Sequence, residues 1–370
     1  MKFLSIIKKI IKSNKYLLKL WHKVLYKREL YIEKKNIINE VKKQPKQNAV
    51  YLFGCPNHAN LGDNAQTYCT EQWIRKNYPG MEIVEICTYD VWNRDFLYIK
   101  LLKRHLKKNN IIILHSGYHT TDLYIWEERL NRAVVRYFHK QRILVLPQTV
   151  NFLNDAETDK SSAAYAKNNR VLFLARDSQS YIQAKELYRY AKVMLYPDIV
   201  TSLIGSYKST QPRNGIMFCM RNDQEAYYSE DKIQAIRSKL ERRYKTDITD
   251  TTIAESFDKI KSDREKYIYD KINELSRYKI VVTDRYHGTI FSLIANTPVI
   301  VVASSDHKLA SGVDWFTEDK ELKNRVFYCE DIDTIYELID NIYTVQYDDI
   351  KESYYEHKYY DKLKDIFEMH

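Results

Sequence analysis

The chain has 370 residues, enough for two domains with a sizeable core, and its apolar share of 44% is that of a folded protein rather than a disordered one. Its formal charge of +10 suggests a nucleic-acid partner until the charge is located. Residues 1–48 hold 14 Lys and Arg against 3 Asp and Glu, and the remainder sums to −1, which argues against a nucleic-acid-binding body.

The basic tail shows helical periodicity over 2–28. Phe3, Ile6, Ile7, Ile10, Leu17, Leu20, Trp21, Val24 and Leu25 share one arc at about 100° per residue, with Lys8, Lys12, Lys15, Lys19, Lys23 and Lys27 on the opposite one. Lysines interrupt every apolar run well short of the roughly 20 residues that span a bilayer, and there is no continuous signal-peptide core. Such a helix is expected to lie on an anionic membrane surface, making the protein cytoplasmic and peripheral on the inner membrane face. Docking on the body, with solvated lysines, is the competing expectation. The five cysteines (Cys55, Cys69, Cys87, Cys219 and Cys329) are odd in number and form no CxxC pair, which fits a reducing cytoplasm better than a disulfide framework or zinc site.

Beyond a linker at 45–48, strands are expected at 49–53, 82–86, 111–115, 143–146, 171–175 and 193–195. Helices are expected between them, at 64–76, 126–140 and 178–188. This alternation predicts a parallel sheet covered by helices. Residues 206–214 have linker composition. A second series follows: strands at 215–220, 247–249, 280–283, 299–303 and 325–328, with helices at 231–244, 263–277, 289–295 and 333–343. The expected fold class is α/β, with two Rossmann-like domains facing across a cleft. The domains are placed at 47–205 and 215–345, after a helical tail (1–46) and before a C-terminal helix (346–370).

Charged and polar residues recur where strands end, the edge at which such sheets bind ligands. The loop Asn60-Leu61-Gly62-Asp63 opens a helix, with Asp63 a candidate N-cap or catalytic carboxylate and Gly62 permitting a tight conformation. Gln148 follows Pro147, and Arg176 ends a strand with Asp177 as its local salt-bridge candidate. Asp198 follows Pro197, and Arg221 closes the first strand of the second series. The sharpest element is Asp284-Arg285-Tyr286-His287-Gly288. It sets an arginine and a histidine beside a helix N-terminus, where an anion is favoured and a proton donor stands ready. Asp284 could pair with Arg285, and Lys308 adds a cation downstream. No metal cluster is expected.

These elements together (N-x-G-D, P-Q, A-R-x-S-x-S, P-D and R-Y-H-G followed by a lysine) resemble the polysaccharide pyruvyl transferase family over about residues 50–316. Tyr286 stands where the family often has leucine. The resemblance implies a GT-B-like fold and transfer of the enolpyruvyl group of phosphoenolpyruvate to a sugar diol, giving a cyclic pyruvate ketal in surface or capsular polysaccharide. Phosphoenolpyruvate would be a co-substrate and no cofactor is needed. The acceptor would be a glycan, attractive as a lipid-linked one given the tail. In these terms His287 is the general acid and Asp63 orients or deprotonates an acceptor hydroxyl. Arg285, Arg176 and Lys308 bind the donor, while Asn60, Gln148 and Arg221 line the cleft. The alternatives are a GT-B-type glycosyltransferase using a nucleotide sugar and a non-catalytic polysaccharide assembly protein.

Overall fold

The computed structural model describes residues 15–92, 96–209, 211–223, 226–303, 307–317 and 319–370. Two parallel sheets organise them. The first contains β1 (Ala49–Cys55), β2 (Glu82–Cys87), β3 (Ile111–Leu114), β4 (Gly117–Thr121), β5 (Ile143–Asn151), β6 (Val171–Ala175) and β7 (Lys192–Leu195). Its order is β2-β1-β3-β5-β6-β7, with β4 paired to β5. The second contains β8 (Ile216–Cys219), β9 (Thr246–Thr249), β10 (Ile280–Thr283), β11 (Val299–Val302) and β12 (Val326–Cys329), ordered β12-β11-β10-β8-β9. Both orders reverse direction, and the point of reversal is where such sheets open a ligand crevice. The central strands are continuous apolar runs because helices cover both faces, and Val171–Ala175 and Val299–Val302 are buried along their whole length.

The long helix α1 (Lys15–Lys43) precedes the first sheet, whose connections carry α2 (Leu61–Asn77), α3 (Thr88–Val91), α4 (Leu97–His105), α5 (Ile125–Tyr137), α6 (Asp155–Tyr165) and α7 (Ser178–Leu187). The second sheet is accompanied by α8 (Glu230–Leu240), α9 (Phe257–Ser262), α10 (Arg264–Leu275), α11 (Tyr286–Ile294), α12 (His307–Thr317) and α13 (Ile335–Tyr343), and α14 (Asp361–Glu368) ends the chain. The two Rossmann-like domains are therefore present, in the GT-B-like layout expected. One hydrophobic cluster runs through both, joining Val50, Leu52 and Leu174 of the first to Val281, Phe291 and Val301 of the second.

The last segment crosses back to the first domain. Trp73 Nε1 donates to Tyr360 O at 2.9 Å, and Lys76 Nζ reaches Glu356 and Asp361 at 2.7 Å each. Arg264 makes a second tie between domains, donating to Glu85 at 2.9 and 2.7 Å and to Glu71 at 3.1 Å.

The tail divides. Residues 1–14, where Phe3, Ile6, Ile7 and Ile10 fall, lie outside the described residues. Ile37 and Val41, near the end of α1, are buried against the first domain, whereas Leu20, Trp21 and Val24 are exposed at 51%, 36% and 54%. At 100° per residue the two sets lie on different faces of the helix. Docking on the body thus holds for the end of α1 and not for the apolar arc of its described N-terminal half. No helix of the described residues is long and apolar enough to cross a membrane.

Candidate active site

A cleft of about 480 Å³ opens between the domains. Its walls come from the loop before α2 and the β4 edge on one side, and from β8, β10 and the start of α11 on the other. Backbone bonds fix the two sides together: Leu61 N donates to Thr251 O at 2.9 Å and Ile253 N to Ala59 O at 3.2 Å.

Asn60, not Asp63, caps α2, its side chain accepting from Gly62 N at 2.9 Å. Asp63 is thereby left in the first turn, facing the cleft. Burial works to raise the Asp63 carboxyl, but His58, His287 and His119 outweigh it and hold it below the usual range. Gly62 is also explained differently from the expectation, since its φ is not positive. A Cβ there would sit 2.3 Å from His287 Nδ1, so the glycine lets a ring of the second domain lie against the first turn of α2. Gly62→Ala is expected to cost about 1–3 kcal/mol in denaturant unfolding through overpacking. Helix propensity alone would stabilise it by up to about 1 kcal/mol, so the sign of the change decides.

His287 stands in the first turn of α11, which Arg285 precedes as N-cap without a side-chain capping bond. The helix N-terminus therefore faces the cleft with its positive end available to an anion. His287 Nε2 lies 3.6 Å from Asp198 Oδ2, within ion-pair reach but too far for a hydrogen bond. Arg285 does not pair with Asp284. Its Nε and Nη2 donate to Asp250 at 2.8 and 2.6 Å, and Nη1 meets Asp223 at 2.9 Å. Asp250 thus fixes the guanidinium inside the fold, while Asp223, with its side chain 42% exposed, holds the outer side.

Arg176 likewise ignores Asp177, which caps α7 by accepting from Ser180 N at 2.8 Å. Its Nε and Nη2 donate to Thr149 Oγ1 at 3.0 and 2.6 Å, its Nη1 reaches Asp198 at 3.3 Å, and its plane lies 4.5 Å from the Tyr286 ring centre. Tyr286 is therefore a shelf for the arginine, which is what an aromatic gives that a leucine does not. In both arginines these contacts engage three of five N–H donors. Arg221 lines the same cleft, with its backbone N–H donating to Asp284 at 2.8 Å.

One expected site residue falls elsewhere, and another cannot be placed among the described side chains. Gln148 is fully buried beneath the cleft and bonds inward: its amide donates to His115 O and to Leu146 O at 3.2 Å, and its oxygen accepts from His119 N and Thr120 Oγ1 at 3.2 Å each. It positions the β4 edge instead of lining the cleft. Lys308 falls on α12, but its side chain lies outside the described residues.

Several groups had no proposed role in sequence. Asp284 is buried in the cleft wall, and burial pushes its carboxyl up to about 6, near the range useful for proton transfer. Asp198 gathers Gln66 at 2.6 Å, Arg176 and His287. Burial drives His115 down to about 3, so this histidine is a neutral structural group bonded to Thr67 and Ser116. Position after a strand could have drawn attention to Asp250; nothing local shows that Arg285 is its partner. Among the described residues no group of His, Cys, Asp and Glu is arranged to hold a metal ion.

The sequence profile of the family described as polysaccharide pyruvyl transferase matches residues 60–307, from the cap of α2 to the start of α12, and so takes in every lining residue of the cleft but His58. The chain belongs to the polysaccharide pyruvyl transferase family. General stress protein 30 of Bacillus subtilis (strain 168) is 29% identical over 327 residues, covering 86% of this chain and 90% of its own. Pyruvyl transferase 1 of Schizosaccharomyces pombe is 27% identical over 268 residues, covering 69% and 66%. Among solved structures, protein KP1_0663 of Klebsiella pneumoniae superposes with a TM-score of 0.51 at 16% identity, over 77% of this chain and 94% of that one, which speaks for the fold alone. As a pyruvyl transferase of polysaccharide biosynthesis the enzyme is a transferase with a polysaccharide acceptor.

Proposed function

We propose that the enzyme transfers the enolpyruvyl group of phosphoenolpyruvate to a sugar diol, forming a cyclic pyruvate ketal. The observation that carries this reading is the juxtaposition of His287 and Arg285, at the open N-terminus of α11, with Asp63 on the first turn of α2. Arg285, Arg176 and the helix N-terminus take the donor's phosphate and carboxylate, the phosphate or carboxylate displacing Asp223 from the outer side of Arg285.

His287 gives its proton to the vinyl carbon, which becomes the methyl group, and the neighbouring carbon becomes oxocarbenium-like. One acceptor hydroxyl adds there, phosphate departs with C–O cleavage, and the second hydroxyl closes the ring. The two hydroxyl protons end on His287 and phosphate, so the donor and diol together yield ketal and hydrogen phosphate. Asp63, held ionised by its histidines, is a weak base at the start. It orients the hydroxyl, accepts its proton as the new bond makes that proton acidic, and passes that proton on to His287 or the departing phosphate, so that its own carboxylate is restored. Arg221 and Asn60 border the acceptor side.

Donor chemistry can be tested by thermal denaturation, because a ligand that binds the native state raises Tm. Phosphoenolpyruvate is expected to raise it, and uridine diphosphate is not. The reverse pattern would favour a nucleotide-sugar glycosyltransferase and remove this reading.

The proposal extends to location. Leu20, Trp21 and Val24 present apolar surface away from the packed end of α1, with exposed Lys19, Lys23 and Lys27 beside them. That composition suits the cytoplasmic face of an anionic membrane, where a lipid-linked surface or capsular glycan would be anchored. Full-length protein is expected to pellet with phosphatidylserine-containing vesicles, and Trp21→Glu with Val24→Glu to leave it in the supernatant. Equal pelleting of the two would refute the membrane contact.

A further inference from the structure

The cleft continues sideways into a second cavity of about 230 Å³, the scale of a single sugar ring. The two share His58, Asp63, His119 and Glu127 as walls. The outer wall of the side cavity is aromatic: Tyr89, Trp92 and Trp126 are 69%, 39% and 45% exposed. Trp92 meets Trp126 edge to face at 4.2 Å between ring centres, and Tyr89 stacks on Trp92 at 5.9 Å. These rings are not core. A pyranose has an apolar C–H face and a rim of hydroxyls, and an aromatic wall bordered by Glu127, His58 and Asp63 offers a partner for each.

Trp92 and Trp126 also wall a third space, a groove of about 790 Å³ on their far side. Among the described residues its lining includes Lys100, Arg129, Arg132, Arg136, Lys160 and Lys167 against a single carboxylate, Glu157. Glu157 is engaged by Arg132 at 2.8 Å and Lys160 at 2.7 Å. Three of the other cations are held in part by rings: Arg129 lies over Trp126 at 4.7 Å, while Lys100 and Arg136 lie 5.7 and 5.9 Å from the Tyr137 ring centre. The described lining of the groove therefore carries an excess of positive charge, and the groove adjoins the side cavity at the tryptophan pair that both share.

We infer that the acceptor is an anionic glycan whose reacting sugar packs against Trp92 and Trp126, and whose next portion lays a phosphate or carboxylate group in the Arg129–Arg136 groove. This rests on the pyruvyl-transfer reading for which sugar reacts, but not for the binding itself. The anion has two chemical sources, the diphosphate that joins a glycan to a lipid carrier or an acidic sugar within the glycan.

Calorimetric titration without donor, at low salt, tests the surface with three probes. They are a neutral hexose disaccharide, the same disaccharide with a reducing-end diphosphate, and the same disaccharide ending in a uronic acid. At least one anionic probe is expected to bind about tenfold tighter than the neutral one, with the advantage lost at high salt. The tighter of the two anionic probes identifies the source. Arg129→Glu with Arg136→Glu should abolish the anionic advantage, and Trp126→Ala should weaken the neutral probe as well as the anionic ones. Equal affinity of the three for the unaltered enzyme, or an anionic advantage that survives the double charge reversal, would overturn the inference. The thermal shift by phosphoenolpyruvate is expected to persist in both variants. Its absence from the unaltered enzyme would count against the donor assignment and leave the glycan surface standing.

Discussion

His287→Ala is expected to lower the turnover of phosphoenolpyruvate by about 10²–10⁴-fold, the range lost when a positioned general acid is removed. The effect on folding should be much smaller. The ring makes no hydrogen bond through Nε2 and stands against Gly62, so its loss opens space at a cleft wall without orphaning a strongly bonded group. Phosphate release and thermal denaturation, measured on the same preparation, separate the two effects. A variant with near-normal turnover would remove His287 as the acid and turn attention to Asp284, the other group in the cleft placed to carry a proton near neutral pH.

The largest effect on stability is expected at Asp198. It is fully buried and accepts from Gln66 Nε2 at 2.6 Å, Arg176 Nη1 at 3.3 Å and Val200 N at 3.0 Å, with His287 3.6 Å away. Asp198→Ala leaves the Arg176 guanidinium buried without its carboxylate, a loss of about 3–5 kcal/mol in other buried pairs. The sign of the pH dependence follows from its ionisation. Burial opposes the charge, but His287, Arg176 and the Val200 N–H hold the carboxyl well below the usual range. A carboxyl depressed in the native state contributes stability that is present above its unfolded pKa of about 4 and lost as pH falls toward the native value. Urea unfolding of the wild type should therefore weaken steadily below about pH 4, and Asp198→Asn should lose part of that slope. An unchanged slope would show that Asp198 is not the ionised centre of this network.

How much of this was legible depends on what each residue answers to. Strands such as Val171–Ala175 and Val299–Val302 announce themselves, because burial on both faces demands an unbroken apolar run. Strand β4, Gly117–Thr121, has neither such a run nor clear alternation, and it was not anticipated. The strand expected at 143–146 continues past Pro147 to Asn151 through an irregular register between Val145 and Gln148. A proline is tolerated at such a bulge, where its missing N–H is not needed. Helix α6 was missed for its polar composition, although Asn154 followed by Glu157 is a capping signal, and the Asn154 side chain does accept from Ala156 N and Glu157 N.

The site divides in the same way. Asp63, Arg176, Arg221, Arg285 and His287 could be found because each follows a strand or opens a helix, which fixes its place without knowledge of the rest of the chain. Their partners could not. Asp177 and Asp284, the sequence neighbours, were the natural candidates for Arg176 and Arg285, but Asp198, Asp250 and Asp223 hold them. Those pairings arise from how separate chain segments are brought together. Gly62 shows the same limit, since its reason is a histidine of the other domain rather than its own backbone. Gln148 looked like a ligand amide because it ends a strand run, and it is instead consumed in holding β4 and His115 in place.

Whether this cleft joins phosphoenolpyruvate to a sugar diol is decided by incubating the enzyme with labelled phosphoenolpyruvate and the glycan probes and analysing the product by mass spectrometry. One phosphate should be released for each cyclic pyruvate ketal formed, with neither produced by Arg285→Ala. Transfer of a sugar from a nucleotide donor to the same probes, with phosphoenolpyruvate left intact, would contradict the pyruvyl-transfer reading.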